Sequence, residues 1–163
     1  MKKTIIIYAT KHGTTKKISD ILKKKLKEKK DETEIVNVKD MKDYNLRVFD
    51  RVIIGGSIHA GQIQGTIKKF CKEQEEILKE KELGLFITCM IEDTKKQEEQ
   101  LENAYPKELQ EKSKAKGILG GEFLFEKMNF IEKLMVKIIA KTNKTKSKIN
   151  HEEIDKFLKK LTK

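Results

Sequence analysis

Residues 3–15, Lys-Thr-Ile-Ile-Ile-Tyr-Ala-Thr-Lys-His-Gly-Thr-Thr, constrain the fold of this 163-residue chain more than any other stretch. The apolar run Ile5–Ala9 stops at Thr10, and Thr14 and Thr15 open a lysine-rich pattern of helical period just after Gly13. So short an apolar run reads as a strand covered on both faces. A strand that turns at once into a helix aims unpaired N–H groups and the positive helix end at one point, and that point attracts phosphate. Thr10, Thr14 and Thr15 add hydroxyl donors, Lys11 and His12 lie in the same loop, and Gly13 lets the backbone approach an anion closely. The same pattern also serves a plain strand-to-helix connection in which a threonine is only an N-cap.

Downstream, apolar runs and helical patterns alternate. The expected strands are Thr4–Ala9, Glu34–Val38, Arg51–Gly56, Leu83–Cys89 and Ile118–Phe125. The expected helices are Thr14–Lys29, Gly65–Glu80, Thr94–Lys114 and Glu152–Leu161. Such alternation implies an α/β fold, a parallel sheet covered by helices on both faces, and the length fits one domain over residues 1–163. Ile18, Ile21, Leu22 and Leu26 repeat at 3.6 residues, as do Ile154, Phe157, Leu158 and Leu161, so these are core-facing stripes. Ligands of open α/β sheets sit at the carboxyl ends of strands. The third strand ends in Gly55-Gly56-Ser57 and runs into Ile58-His59-Ala60-Gly61; the fourth runs into Cys89-Met90-Ile91. Glycines there are also what any ordinary turn uses.

The spacing Thr-x-x-Gly-x-Thr after a first strand resembles the phosphate loop of flavodoxins, which bind FMN. Together with Val-Ile-Ile-Gly-Gly-Ser-Ile-His-Ala-Gly and a basic apolar helix after the fifth strand, it resembles the flavodoxin-like bacterial protoporphyrinogen oxidases. The resemblance covers nearly the whole chain. It implies a flavodoxin-like three-layer sandwich with a five-stranded parallel sheet of order 2-1-3-4-5. It also implies FMN as cofactor, oxidation of protoporphyrinogen IX to protoporphyrin IX, and membrane quinone as acceptor. Thr10–Thr15 would hold the phosphate, and Ser57, Ile58, His59, Ala60, Gly61, Cys89, Met90 and Ile91 would lie against the ring. The subgroup carries an Arg and a Tyr where this chain has His59 and Ala60, so ring and substrate contacts differ here.

No side-chain set resembles a proton-transfer or nucleophilic apparatus: His12, His59 and His151 are scattered. In a flavoprotein the cofactor supplies the electron chemistry. The two ring loops hold no aromatic residue, which points to two-electron chemistry rather than single-electron shuttling. Cys89 reads as a small buried apolar residue or as a thiol beside the ring.

Composition decides the remaining questions. The net charge is +11, yet Arg47 and Arg51 are the only arginines, and lysines spread over every predicted helix among acids. No nucleic-acid footprint follows from that, nor does any metal-ligand spacing. An acidic docking surface, usual for a flavodoxin-type electron carrier with a redox partner protein, is the alternative that this charge disfavours. A phosphate-switched receiver domain is excluded, because Ala9-Thr10 and Gly56-Ser57 stand where it needs acids. Two cysteines without metal spacing, Cys71 and Cys89, read as free thiols in a reducing cytoplasm. No leader or membrane-spanning stretch is expected.

The segment Lys127–Lys148 is unusual. Met128, Ile131, Leu134, Met135, Ile138 and Ile139 share one helical face, with seven lysines against the single acid Glu132. Such a basic amphipathic helix reads as an element for an anionic membrane surface, a lid over the cofactor, or scaffold. A cytoplasmic chain, peripheral on the inner face of the cell membrane, is the corresponding expectation.

Overall fold

The computed structural model describes residues 1–123, 125–140 and 146–163. Strand β1, Lys3–Tyr8, lies between β2, Glu32–Asn37, and β3, Arg51–His59; β5, Glu82–Thr88, and β6, Ala115–Ile118, complete the parallel sheet. The order is β2-β1-β3-β5-β6, and β4, Gln62–Ile63, folds back antiparallel on β3. The expected five-strand order is therefore present, with a short hairpin added. Helices α1, Thr14–Glu28, and α7, His151–Leu161, contribute to the core on one sheet face. On the other face pack α2, Gly65–Glu73; α3, Glu75–Lys79; and α5, Lys107–Lys112, while α4, Thr94–Ala104, runs between α3 and α5 in sequence.

Alternation along the strands builds the two cores. Ile5 and Ile7 of β1 join one cluster and Ile6 the other, because successive strand side chains point to opposite faces. Ile6, Ile53 and Phe86 meet Ile18, Leu22 and Leu26 of α1 and Ile154, Phe157 and Leu161 of α7. All but Phe157, at 2 %, are fully buried, and each such side chain contributes about 1.5–3 kcal/mol over exposure. Glycine in β3 serves this packing. A Cβ on Gly55 would stand 2.0 Å from the Phe86 ring, and one on Gly56 would stand 2.6 Å from Ile63.

Three expected elements differ in their course. The second helix is interrupted at Gln74, whose φ of −106° and ψ of 11° leave helical geometry. The third ends at Ala104, because Pro106 forces Tyr105 into extended backbone (φ −126°, ψ 152°). Its continuation is the short α5, and Ala115 already begins β6. The fifth strand ends at Ile118, not Phe125: Gly120 turns with φ +93°, and its neighbour Gly121 packs on the Cys89 carbonyl. Beyond them β7, Glu122–Phe123, pairs antiparallel with β8, Lys146–Ser147. The Ile118–Phe125 expectation includes Leu124, and the lysine run includes Lys141 and Lys144; all three lie outside the described residues.

The inserted helix is α6, Phe130–Ala140. Asn129 and Glu132 cap it reciprocally, each side chain accepting the other's backbone N–H at 2.9 Å. No described helix is long and apolar enough to cross a membrane.

Candidate functional site

The β1–α1 loop is built by its own hydroxyls. The Gly13 N–H donates to Thr10 Oγ1 at 2.9 Å, and Gly13 stands at the N-cap of α1 with φ +99°. No side chain caps α1, whereas Asp93 and Asn150 cap α4 and α7. The first N–H groups of α1 therefore keep the donor capacity that a capping side chain would use. Thr15 is fully buried, with its hydroxyl 3.2 Å from that of Thr88, and this ties the helix start to the end of β5. The Thr14 hydroxyl donates to Glu122 Oε1 at 3.1 Å, and Lys17 Nζ lies 3.0 Å from both Glu122 oxygens. Lys11 and His12 both meet Glu132 of α6, His12 Nε2 at 3.4 Å. A Cβ on Gly13 would find open room, with Lys127 Nζ 3.9 Å away, so conformation and not space requires glycine there.

The β3–β4 turn forms the second wall. Ala60 (φ +48°) and Gly61 (φ +75°) are the two residues between the paired His59 and Gln62, the backbone of a type I′ hairpin turn. Alanine is strained at that first position. Ser57 is held by Gln64, whose Oε1 accepts the Ser57 N–H at 3.0 Å, and its hydroxyl lies 2.9 Å from His59 Nε2. The His59 ring meets His12 edge-on with centroids 5.9 Å apart. Burial, then the charges of Lys11 and His12, push the His59 pKa below its ordinary 6.5 against the pull of Glu132.

The third wall follows β5. Cys89 donates its N–H to Gly120 O at 2.9 Å, and burial pushes its thiol up to about 11, so it stands as a neutral group. Met90 and Ile91 are half-buried beyond it.

These walls enclose a cleft of about 810 Å3, within the usual range for small-molecule sites. It gathers Thr10, Lys11, His12, Thr14, Ser57, Ile58, His59, Ala60, Gly61, Cys89, Met90 and Ile91; Gly13 and Thr15 do not line it. Other lining residues come from outside these three loops. Gln100 of α4 turns into the cleft with a buried Oε1 that has no hydrogen-bond partner. Phe123 of β7 brings an aromatic ring into a site whose two loops have none. Met128, Ile131, Glu132, Met135 and Val136 make α6 the fourth wall. Of these, only the apolar stripe on α6 left a sequence signal; Phe123 and Gln100 arrive through long-range packing.

An uncapped helix start, a partnerless buried acceptor and apolar walls fit the phosphate, polar edge and flat ring of FMN. Comparison with known proteins agrees with this architecture. The flavodoxin domain family matches residues 5–150. Protoporphyrinogen IX dehydrogenase [quinone] of Escherichia coli (strain K12) is 22% identical over 143 residues, covering 85% of this chain and 79% of that protein. The Leishmania major protein of the same name is 23% identical over 144 residues, covering 85% and 62%. Among solved structures, oxidised flavodoxin 1 from Bacillus cereus superposes with a TM-score of 0.56 at 19% identity, covering 98% of this chain and 95% of that one. Two-electron reduced Megasphaera elsdenii flavodoxin gives 0.54 at 15% identity, covering 72% and 82%. With nearly its whole length matched, this chain belongs to the flavodoxin domain family.

Proposed function

We propose that this chain is one FMN-binding domain that acts as an oxidoreductase, removing hydrogen from a porphyrinogen-like substrate with quinone as acceptor. The observation that carries the reading is the cleft in which a donor-rich, uncapped helix start meets the apolar wall of α6. Similarity to proteins named protoporphyrinogen IX dehydrogenase [quinone] supports the substrate class. Bound FMN would supply the electron-accepting ring. The chain's own residues bind, orient and shield. The Thr10–Thr15 backbone and hydroxyls hold the phosphate, and Ser57–Gly61 and Cys89–Ile91 flank the ring. Met128, Ile131, Met135 and Val136 exclude water from a hydrophobic substrate. His59, with its pKa lowered and its ring on the Ser57 hydroxyl, offers a neutral imidazole at the cleft.

The same helix supports action at a membrane surface. Phe130, Leu134 and Ile138 recur every four residues on its outer side and are 80%, 48% and 68% exposed. Lys133 and Lys137 flank them, and each basic residue near an anionic leaflet contributes on the order of 1 kcal/mol.

The reading is tested by titrating FMN into the chain and then assaying it anaerobically with protoporphyrinogen and a quinone. Stoichiometric FMN binding with turnover is expected. Binding without turnover, but with electron exchange to a redox protein, would make it a flavodoxin-type carrier; no flavin binding would end the proposal. Sedimentation with anionic vesicles should be lost on Ile138→Asp, and unchanged binding would remove the membrane face.

A further inference from the structure

Glu132 is the one acid between Lys127 and Lys148, and its carboxylate meets the β1–α1 loop. Its Oε2 accepts the Asn129 N–H and so caps α6. The same carboxylate reaches across the cleft to pair with Lys11 and lies 3.4 Å from His12 Nε2. Its side chain is only 18% exposed. Burial alone would raise its pKa, yet Lys11, the Asn129 N–H and His12 together hold it down to about 2. A carboxylate anchored on α6 thus occupies the lysine and the histidine of the loop assigned to the FMN phosphate. Glu122 likewise takes the Thr14 hydroxyl and Lys17. Two anions compete for one set of donors, and a phosphate monoester carries more charge than a carboxylate.

We infer that Glu132 is the resident counter-ion of the phosphate loop, displaced from Lys11 and His12 by the cofactor phosphate, and that this exchange releases α6. The inference rests on the FMN reading and adds two properties to it. A flavin without a phosphate cannot displace Glu132, so the latch selects phosphorylated flavin. The helix that gives the cleft its apolar wall is freed only when the cofactor phosphate is in place.

Glu132→Gln separates charge from structure, because glutamine also serves in a reciprocal cap. FMN and riboflavin are titrated into the parent chain, Glu132→Gln and Lys11→Met, and amide exchange of residues 130–140 is followed with and without FMN. Glu132→Gln should bind FMN about tenfold tighter at low salt, a modest coupling between two ligands of one site, with riboflavin unchanged. Exchange in α6 should quicken when the parent takes up FMN, and should already be fast in both variants without it. Lys11→Met should bind FMN more weakly while still freeing α6. The latch is overturned if Glu132→Gln binds FMN equally or less well, or if α6 becomes more protected on loading; Glu132 would then be a positioning residue for Lys11 and His12. A parent chain that binds riboflavin as tightly as FMN would defeat the phosphate assignment itself, whatever the variants do.

Discussion

The two ends of the parallel sheet are made from the same strands but handle charge in opposite ways. At the amino ends, Arg51 is 3% exposed, pairs with Asp31 and, at 3.1 Å, with Glu82, and approaches the Thr4 hydroxyl at 3.4 Å. Lys2 and Lys114 complete the shell of Glu82. Every one of these charges belongs to the sheet strands or to residues bordering them. At the carboxyl ends, Lys11, the His12 ring and the hydroxyl of Thr14 are matched by Glu132 and Glu122, which follow the last parallel strand. The first arrangement closes one end of the sheet permanently. The second holds the other end with partners that a ligand can replace.

The largest expected effect tests the closed end. Arg51→Met leaves Asp31 and Glu82 without their shared cation, and breaking a buried pair costs about 3–5 kcal/mol. Urea unfolding measures this; a loss under about 1 kcal/mol would mean that the amino ends are not held by charge.

Gly13→Val should act at the open end. A β-branched residue at φ +99° costs about 1–3 kcal/mol in strain, and FMN affinity should fall roughly tenfold or more. Equilibrium dialysis reads the affinity, and undiminished FMN binding would detach the phosphate from this loop.

Acid sharpens the contrast. Burial would raise the Glu82 pKa from its ordinary 4.5, but hydrogen bonds from Lys114 and Lys2 and the charge of Arg51 bring it down to about 2. A depressed folded pKa gives stability that is complete above 4.5 and lost as pH falls toward 2. Glu82→Gln should flatten the fall of the unfolding midpoint across that window. Glu132, also held near 2, should alter only local exchange of α6 there, since it bridges a loop and a helix outside the core. Equal global effects of the two substitutions would erase the distinction.

The smallest effect concerns the strained turn. Ala60→Gly relieves a left-handed residue at the cost of glycine's chain entropy, for a net gain of about 0.5–1 kcal/mol in thermal unfolding. A loss of stability would show that Ala60 is not strained by its turn.

The local part of this architecture was legible from residue order. An apolar run, a hydroxyl-glycine loop and a 3.6-residue stripe are neighbours in the chain, so β1, the β1–α1 loop and α1 follow from short-range sterics and helix-end dipoles. The same reasoning located the walls at Ser57–Gly61 and Cys89–Ile91, because strand ends in a parallel sheet share one side. It misjudged the fifth strand, where the apolar pattern runs on through Gly120 and Gly121 although the backbone turns there. Gly55 and Gly56, which an ordinary turn would also use, make room for Phe86 and Ile63 within the sheet.

What tertiary structure alone decided is the pairing of distant partners. Glu132 looked like an incidental acid in a lysine-rich helix, yet it meets His12 across 120 residues. Phe123 and Gln100 reach the cleft only because β7 and α4 are packed beside it. Hydrophobic periodicity specifies which face of an element is buried, but it carries no information on which remote charge that element will meet. Here the sequence by itself determined the sheet, its two cores and the hydroxyl-glycine loop, since each rests on neighbours in the chain. The counter-ion of that loop and the fourth wall of the cleft depend on how an inserted helix docks, which is set by long-range packing and electrostatics.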